Sequence, residues 1–308
     1  MAGQSAQGGL PGFFVSGKIL PNFFSVSSLS VVYNYPMPPP EKLFIYEIEG
    51  RVEPPPELAG PDFLGCWREA DFSYLFFGAP KEGQVKAWLT ASAAGRYSSE
   101  TVLDYSDWEA GQPLQAASLA GFHLCPVWEE PQPAPGELVL RMEPGLAFGS
   151  GYHPTTQGCL TLMRRVFAAN PPRQVLDLGT GTGILALAAL ALGAARVVAV
   201  EYNELAVRTA ARNLKHNQRQ GGVLLIQGDA RHFAYPPAQL ALANLHLDVL
   251  LDLLDIPEFL TKKWYIFSGI LGTQMATFTA RLKNSPLKLL DTWSANLWFA
   301  VLAKKTNK

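Results

Sequence analysis

One stretch of 27 residues constrains the fold of this chain more than any other. The stretch VLDLGTGTGILALAALALGAARVVAVE, from Val175 to Glu201, places three glycines between two apolar runs and ends on an acid. The first and last runs have the length of strands, and the segment between them continues from the glycines as an apolar helix. A strand, a glycine turn, a helix and a second strand predict a βαβ unit, the building block of a doubly wound α/β domain.

The same alternation continues through the C-terminal half of the chain. Apolar runs of strand length, separated mostly by helical stretches such as ELAVRTAARNLKHNQ, are QVLDL, RVVAVE, VLLIQ, LALANL, WYIFSG and LWFAVLA. These runs are continuously apolar, which is typical of strands that are covered on both faces of a sheet. Residues 136–308 are therefore predicted to form one doubly wound α/β domain.

The residues before 136 are organised differently. Residues 1–40 are rich in Gly, Ser and Pro and predict a loose leader, in which SLSVVYNY is a candidate edge strand. Residues 41–105 combine the strand-like KLFIYEIEG and FSYLFFGA with the helical EGQVKAWLTASAA and predict a small α+β domain. Residues 106–135 are broken by prolines and predict an interdomain linker with room for one strand.

Charge and cysteine content exclude several classes of function. The chain of 308 residues has 25 Lys and Arg against 26 Asp and Glu. This balance argues against an extended basic surface that binds nucleic acid, although a local basic patch remains compatible with it. Cys66, Cys125 and Cys159 are too scattered for a disulfide framework or a zinc site and are expected to be reduced thiols of a cytoplasmic protein. The first residues lack a basic segment, and Pro11 and Pro21 interrupt them, so neither secretion nor a membrane span is expected.

The glycine turn predicts a nucleoside cofactor. Gly179, Gly181 and Gly183 follow a strand and open a helix, where a ligand can approach the main chain closely. Glu201 ends the next strand 22 residues after Gly179, where its carboxylate can accept hydrogen bonds from two ribose hydroxyls. The alternative is a tight turn without a ligand.

The spacing of the glycines distinguishes between cofactors. The pattern is G-x-G-x-G preceded by Asp177, whereas dinucleotide-binding turns have G-x-G-x-x-G. Asp177 can bind the cationic amine of a methionine moiety, directly or through water, and would repel a pyrophosphate. S-adenosylmethionine therefore fits this turn better than NAD.

Two further segments carry polar residues next to predicted elements. PGLAFGSGYHPTTQGCL is a glycine loop that leads through His153 and Pro154 into a helix, and Thr155 or Thr156 is expected to cap that helix. Asn244 ends the fourth core strand at the carboxyl edge of the sheet, where ligands of open α/β sheets bind. Its amide can hold a substrate amine by accepting a hydrogen bond.

The segments PGLAFGSGYHPTT, VLDLGTGTGILALAAL, ALANL and FSGILGTQ, in that order, resemble the PrmA family of methyltransferases of ribosomal protein L11. The resemblance covers about Val127 to Lys305. It implies a class I methyltransferase domain with a Rossmann-like sheet of seven strands behind a small N-terminal domain that recognises the substrate. It also implies a cytoplasmic enzyme that uses S-adenosylmethionine to methylate amino groups of L11, on lysine side chains, the N-terminal amine or both.

The resemblance also implies roles for individual residues. By position in the family motifs, Asn244 is the catalytic residue beside the transferred methyl group, and Asp229 of QGDA lies near the adenine. Together with Asp177, which the glycine turn already suggested, the implied cofactor-binding residues are Thr155, Gly179, Gly181, Glu201, Asp229 and Asn244. No metal ligand is implied.

The chain departs from the family pattern in two places. Ser150 and Tyr152 replace a more usual threonine and a variable residue in the glycine loop, which is a mild change. In the N-terminal domain, where the family has its first long helix, this chain has VEPPPELAGPDF, and Pro54 to Pro56 oppose a helix. The substrate is therefore less firmly implied than the cofactor.

Methyl transfer to an amine is a direct displacement on the sulfonium carbon, so it requires an aligned, neutral amine and neither a metal nor a covalent nucleophile. Asn244 is expected to orient that amine while the HPTT loop encloses the cofactor. His153 and His246 are candidate general bases, but a lone histidine at such a position is more often structural, and that is the role expected for both.

Three other functions fit parts of the sequence. A methyltransferase of the same family could act on another protein, an RNA or a small molecule, although Leu245 and His246 stand where many amino-group methyltransferases acting on bases or glutamine have N-P-P-Y. A non-catalytic cofactor-binding or scaffold protein would keep the same motifs. An NAD-dependent oxidoreductase fits worst, because the glycine spacing differs and no second catalytic constellation is evident.

Overall fold

The computed structural model describes residues 40–108, 115–143, 146 and 151–306. Nearly all of the predicted leader, including the candidate strand SLSVVYNY, lies outside the described residues, and so does most of the glycine loop before Gly151.

The N-terminal unit is a four-stranded antiparallel sheet with one helix packed on it. The elements are β1 (Lys42–Glu49), β2 (Phe63–Glu69), β3 (Phe72–Phe77), α1 (Glu82–Ser92), β4 (Arg96–Asp104) and the short α2 (Tyr105–Trp108). The strand order is β2-β3-β1-β4. The helix α1 buries Val85 and Leu89 against one face of the sheet, where they join a cluster that includes Tyr46, Leu75 and Phe77.

The interval 106–135 was predicted from the sequence to be a linker with room for one strand. Its described residues, 106–108 and 115–135, contain two strands. β5 (Ala117–Leu119) and β6 (Phe122–Pro126) form a small sheet with β7 (Leu138–Met142), in which β6 is antiparallel to β5 and parallel to β7. Every residue of β6 is buried, and Phe122 and Leu124 belong to the core of the following domain. A strand buried along its whole length has no alternating pattern, which is why its sequence looked irregular.

The C-terminal domain contains a sheet of seven strands with helices between them. The elements are α3 (Pro154–Ala169), β8 (Gln174–Leu178), α4 (Ile184–Ala191), β9 (Arg196–Glu201), α5 (Glu204–His216), β10 (Val223–Gln227), β11 (Leu240–Asn244), α6 (Leu247–Leu253), β12 (Trp264–Leu271), α7 (Met275–Lys283), β13 (Leu287–Ala295) and β14 (Trp298–Lys305). The strand order in the sheet is β10-β9-β8-β11-β12-β14-β13. The strands β10, β9, β8, β11 and β12 are parallel to one another, and β14 is antiparallel to both of its neighbours.

Two apolar layers cover the two faces of this sheet. One contains the buried side of α3, most of α4 and the inner residues of α5, and the other contains residues of α6 and α7. Strands enclosed in this way are continuously apolar, as LALAN in β11 shows with four of its five residues buried. The predicted fold class, a Rossmann-like α/β domain with a seven-stranded sheet behind a small N-terminal α+β unit, is confirmed.

The starts of two helices show how local sequence directs the chain. His153, rather than Thr155 or Thr156, caps α3, and its side chain accepts a hydrogen bond from the backbone N–H of Thr155. Pro154 favours the first helical position because it has no N–H to lose, so the cap moves to the residue before it. Asn203 caps α5 through the backbone N–H groups of Leu205 and Ala206.

Searched over the described residues alone, the helices include none that is both long enough and apolar enough to cross a membrane.

Candidate functional site

The predicted site residues meet at one edge of the large sheet. The strand order reverses between β8 and β11, since β9 and β10 lie on one side and β12 on the other. In an open α/β sheet, a crevice forms outside the carboxyl ends of the strands at such a switch point. The glycine turn after β8, Glu201 at the end of β9 and Asn244 at the end of β11 all lie at this edge.

The glycine turn adopts a conformation that favours glycine. Gly179, Gly181 and Gly183 have φ values of +73°, +56° and +83°, in the left-handed region. A Cβ atom on Gly179 would also lie 2.3 Å from Cδ2 of Leu245, the residue after β11. The glycines therefore allow the turn after β8 to approach the end of β11 closely.

Asp177 is a fully buried carboxylate directly before this turn. Its Oδ2 accepts a hydrogen bond of 2.6 Å from the hydroxyl of Thr180, while its buried Oδ1 has no hydrogen-bond partner among the described residues. Burial, together with the nearby Glu201, raises the pKa of Asp177 to about 7, against the lowering effects of the Thr180 hydroxyl and of the backbone N–H of Ala186. A buried carboxylate oxygen without a partner is costly, and a cationic donor would satisfy it.

Glu201 connects the glycine turn after β8 to the turn after β9 through hydrogen bonds. Its Oε2 accepts a hydrogen bond of 3.0 Å from the backbone N–H of Gly181, and its Oε1 accepts one of 2.9 Å from that of Asn203. Burial raises the pKa of Glu201 above its ordinary value, against the lowering effect of these backbone hydrogen bonds. The carboxylate thus lies between the glycine turn and the start of α5.

Thr155 and Asn244 are in direct contact although 89 residues separate them. Nδ2 of Asn244 donates to Oγ1 of Thr155 at 3.3 Å. On the other side, Oγ1 of Thr155 lies 2.7 Å from Nδ1 of His153, which also accepts the backbone N–H of Thr155 at 3.3 Å. Since Nδ1 accepts, the Thr155 hydroxyl donates to it, and the hydrogen bonds run in one direction from Asn244 to His153.

His153 has structural contacts on both sides, because it caps α3 and its ring packs on β14. Its ring packs edge-on against Trp298 at a centroid distance of 5.0 Å, and burial lowers its pKa below the ordinary value. The neutral form is consistent with an accepting Nδ1. Behind it, the hydroxyl of Ser268 in β12 donates to the carbonyl of Thr155 at 3.1 Å and holds the start of α3 on the sheet.

Asp229 differs from the other predicted residues because its carboxylate already has a charged partner. It accepts hydrogen bonds from the backbone N–H of Arg231 at 2.9 Å and from Nη2 of the Arg231 guanidinium at 2.6 Å. This hydrogen bonding lowers the pKa of Asp229, and Arg231 also pairs with Asp252. The structure shows no hydrogen bond between Asp229 and another predicted site residue within the described ranges.

A cavity of about 410 Å³ is lined by α6, the end of β12 and the start of β14, and its lining begins at His246, two residues after Asn244. Its lining combines apolar and polar side chains, and His246 is exposed at its rim. In this lining, Gly269 has φ +83°, and a Cβ there would lie 2.2 Å from the carbonyl oxygen of Leu245. The lining residues are His246, Leu247, Asp248, Leu251, Gly269, Leu271, Gln274 and Trp298.

Sequence reasoning missed two residues of this site. Thr180 was visible inside GTGTG, three residues after Asp177, where a hydroxyl can reach back to the carboxylate. Trp298 begins β14, more than 140 residues after His153, and no local pattern links the two. The described residues contain no group of three or more His, Cys, Asp or Glu side chains placed to hold a metal ion.

Four features of this domain together define the class I methyltransferase fold. They are the strand order of the large sheet, the antiparallel strand β14, the glycine turn after β8 and the acid at the end of β9.

Comparison with known proteins agrees with this class. The sequence model of the family "Ribosomal protein L11 methyltransferase (PrmA)" matches residues 91–306. The chain belongs to this family.

Individual relatives show how far the similarity extends. A protein named ribosomal protein L11 methyltransferase from Exiguobacterium sibiricum is 35% identical over 184 residues, which are 59% of this chain and 58% of that protein. One of the same name from Pelotomaculum thermopropionicum is 35% identical over 227 residues, 71% of this chain and 72% of that protein. The crystal structure of ribosomal protein L11 methylase from Lactobacillus delbrueckii subsp. bulgaricus is 26% identical with a TM-score of 0.55, covering 63% of this chain and 97% of that one.

The chain spans less than two thirds of the length of several curated relatives, for example 58% of the Exiguobacterium sibiricum protein.

Proposed function

We propose that this chain is a cytoplasmic N-methyltransferase that uses S-adenosylmethionine to modify amino groups of ribosomal protein L11. The modified groups are lysine side chains, the N-terminal amine or both. Membership of the PrmA family and the names of its relatives support the substrate. The observation that carries the cofactor is the buried Oδ1 of Asp177, which has no partner among the described residues and lies at the start of the glycine turn.

The donor set fits S-adenosylmethionine. Asp177 would accept the cationic amine of the methionine moiety, and Glu201 would accept the ribose hydroxyls. Gly179 and Gly181 would let the main chain approach it, and Thr155 would lie beside its reactive end. Asp229 is assigned to the adenine end, where its link to Arg231 holds the turn after β10. When bound, this cofactor supplies an electrophilic methyl group on a sulfonium.

Asn244 is assigned to the substrate amine. Its Nδ2 is engaged by Thr155, so Oδ1 is the amide atom that would accept a hydrogen bond from the incoming nitrogen. His153 and Ser268 fix Thr155 from the other side, and the direction of these hydrogen bonds sets which way the amide faces. Asn244 would thereby orient the nitrogen lone pair toward the methyl group.

The cavity whose lining begins at His246, two residues after Asn244, suits the alkyl chain of a lysine. Leu247, Leu251 and Leu271 offer apolar walls for the methylene groups. A lysine amine has an ordinary pKa of about 10.4, and burial against apolar walls lowers it because the charged form is desolvated. The amine would lose its proton to water as it enters, and the neutral nitrogen would then be the nucleophile.

The N-terminal unit is assigned to substrate recognition. We divide the chain into a leader (1–40), the recognition domain (41–105), a connecting segment (106–135) and the methyltransferase domain (136–308). The different architectures of the antiparallel sheet β2-β3-β1-β4 and of the seven-stranded sheet support this division.

The proposal is tested by incubating the purified protein with labelled S-adenosylmethionine and, separately, with L11, total ribosomal proteins and ribosomal RNA. Intact-mass analysis should show gains on L11 in multiples of one methyl group. Label on RNA alone would contradict the protein substrate, and tight cofactor binding without turnover on any fraction would identify a non-catalytic binding protein.

Asn244→Ala tests the catalytic assignment. Because a misaligned amine slows transfer, kcat on L11 should fall about 100-fold while the Kd of the cofactor changes little. Asn284→Ala, an exposed asparagine at the end of α7, is the matched control and should leave kcat unchanged. Unchanged kcat in Asn244→Ala would remove this residue from the mechanism.

A further inference from the structure

The turn between β9 and α5 serves two purposes within a few residues. Glu201, the acid assigned to the ribose, ends β9. Glu204 and Leu205, the first two residues of α5, contact the N-terminal sheet. The same short segment therefore contacts both the cofactor site and the domain assigned to substrate recognition.

An ion pair forms the polar half of this contact. Nη1 of Arg68 in β2 lies 3.0 Å from Oε2 of Glu204, and only 17% of the Arg68 side chain is exposed. Nε of Arg68 also donates to the carbonyl of Val52 at 2.9 Å, and its Nη2 pairs with Glu53. A guanidinium held by several partners is already ordered, so its pairing with Glu204 loses little side-chain entropy.

An apolar contact forms the other half. Leu205 packs into the face of the N-terminal sheet that α1 does not cover, with Leu43, Ile45 and Phe76. A Cβ on Gly65 would lie 2.4 Å from Cδ2 of Leu205, so the glycine leaves the space that the leucine fills. Leu205 is thus part of the N-terminal core although it belongs to the methyltransferase domain.

Asn203 connects Glu201 in the cofactor site to Leu205 at the contact with the N-terminal sheet. Its backbone N–H donates to Oε1 of Glu201 at 2.9 Å, and its side-chain oxygen accepts from the backbone N–H of Leu205 at 2.8 Å. A shift of the first turn of α5 therefore moves the residue that orients the Glu201 carboxylate.

A cavity of about 340 Å³ lies at the same place, with walls from both domains. Trp67 and Arg68 line it from the N-terminal side, and Tyr202, Asn203 and Gln227 line it from the other. Tyr202 directly follows Glu201 and is 74% exposed.

We propose that Arg68 is a positioning residue for the cofactor site, through which docking of the N-terminal domain and binding of S-adenosylmethionine favour each other. The inference rests on the proposed function. With the domain docked, Arg68 and the pocket around Leu205 hold the start of α5, and Asn203 holds Glu201 in place for the ribose. Because coupling between two sites is reciprocal, a bound cofactor must also strengthen the docking.

The first measurement is the Kd of S-adenosylhomocysteine, by calorimetry, in full-length variants. Arg68→Ala should weaken binding about fivefold, within the usual range of coupling between sites. Arg68→Lys should recover part of this loss because it keeps the charge. Arg96→Ala is the control, because Arg96 lies in the same domain but pairs with Glu49 on its exposed surface, and it should leave the Kd unchanged.

The second measurement tests reciprocity by hydrogen exchange. Saturating S-adenosylhomocysteine should slow exchange in residues 63–69 of the wild type, and this protection should be much smaller in Arg68→Ala. A purely structural role of Arg68 within its own domain would leave the ligand-dependent protection intact. If Arg68→Ala does not fold, Leu205→Ala removes the apolar half of the contact and is expected to weaken binding in the same direction.

The outcomes separate this inference from the proposed function. If the wild type binds S-adenosylhomocysteine and methylates L11 while both Arg68→Ala and Leu205→Ala keep the wild-type Kd, the coupling is absent and the function stands. If the wild type binds no S-adenosylhomocysteine, the proposed cofactor is wrong and the coupling falls with it. Binding without methylation of L11 would overturn the substrate alone.

Discussion

The turns after β8 and β10 lie at the same edge of the sheet, and the aspartates in them are in opposite electrostatic situations. Asp177 is fully buried, and one of its oxygens has no partner among the described residues. Asp229 is partly exposed and bonded to the Arg231 guanidinium. Accordingly, the pKa of Asp177 is raised to about 7 by burial, and that of Asp229 is lowered by its partner.

This difference shows that an acid at the carboxyl end of a strand does not reveal its role by position alone. An acid with an unsatisfied buried oxygen gains most from a cationic ligand, whereas an acid that is already paired gains little. We therefore expect Asp177 to dominate cofactor affinity and Asp229 mainly to shape its turn. Five predictions test this comparison.

The largest effect is expected from Asp177→Asn. Removing the carboxylate should weaken binding of S-adenosylhomocysteine by roughly 10- to 100-fold, the range for a hydrogen bond to a charged group. The amide can still accept from Thr180, so the cofactor-free variant should remain folded and at least as stable as the wild type. Calorimetry gives the Kd and thermal unfolding the stability. A Kd close to that of the wild type would remove the basis of the comparison.

The second prediction concerns pH. Only the ionised carboxylate attracts the cofactor amine, so affinity should tighten roughly tenfold per pH unit as pH rises toward the pKa of Asp177 and level off above it. Glu201, whose pKa is also raised, adds a slope in the same direction. Asp177→Asn should flatten most of this dependence, and calorimetry between about pH 5 and about pH 8, where the cofactor amine keeps its charge, would show it.

The cofactor-free protein should show the opposite trend in stability. The folded-state pKa of Asp177 is about 7 against an ordinary 3.8, so between these values the folded chain keeps a proton that the unfolded chain has lost. The contribution of this group to the free energy of unfolding therefore falls as pH rises through that window. Denaturant unfolding of the wild type against Asp177→Asn isolates it.

Thr180→Val is expected to weaken cofactor binding less than Asp177→Asn does. The Thr180 hydroxyl is the only hydrogen-bond donor from a side chain to Asp177 in the described part of the chain, and it lowers the carboxyl pKa. Without it the pKa of Asp177 should rise further, which at neutral pH weakens cofactor binding about threefold. The loss should shrink at alkaline pH, where the carboxylate is ionised in both proteins. A loss that is independent of pH would indicate altered packing instead.

The smallest effect is expected from Asp229→Asn. Its partner Arg231 has a side chain that is 43% exposed, so solvent screens the pair. The Kd should change less than about twofold, since exposed ion pairs contribute little. A loss as large as that of Asp177→Asn would show that Asp229 contacts the cofactor directly.

Several features of the fold were predictable because they depend on neighbours in the sequence. The turn at Gly179, Gly181 and Gly183 and the acid at Glu201 follow from strand and helix lengths alone. One strand was expected within residues 106–135, but the sequence did not locate β6, because a strand buried along its whole length lacks the alternating pattern that reveals half-buried strands. The cap of α3 was misplaced by two residues or more, because Pro154 decides where that helix begins.

The sequence by itself determined the class of the fold, the glycine turn with its acid, and the family, because each is written in short segments with fixed spacing. Only the tertiary structure decided which side chains touch. It joined Thr155 to Asn244, brought Trp298 against His153 and placed Leu205 in the core of the N-terminal domain. Those contacts depend on the order of the strands in the sheet. That order brings together residues that lie far apart in the sequence.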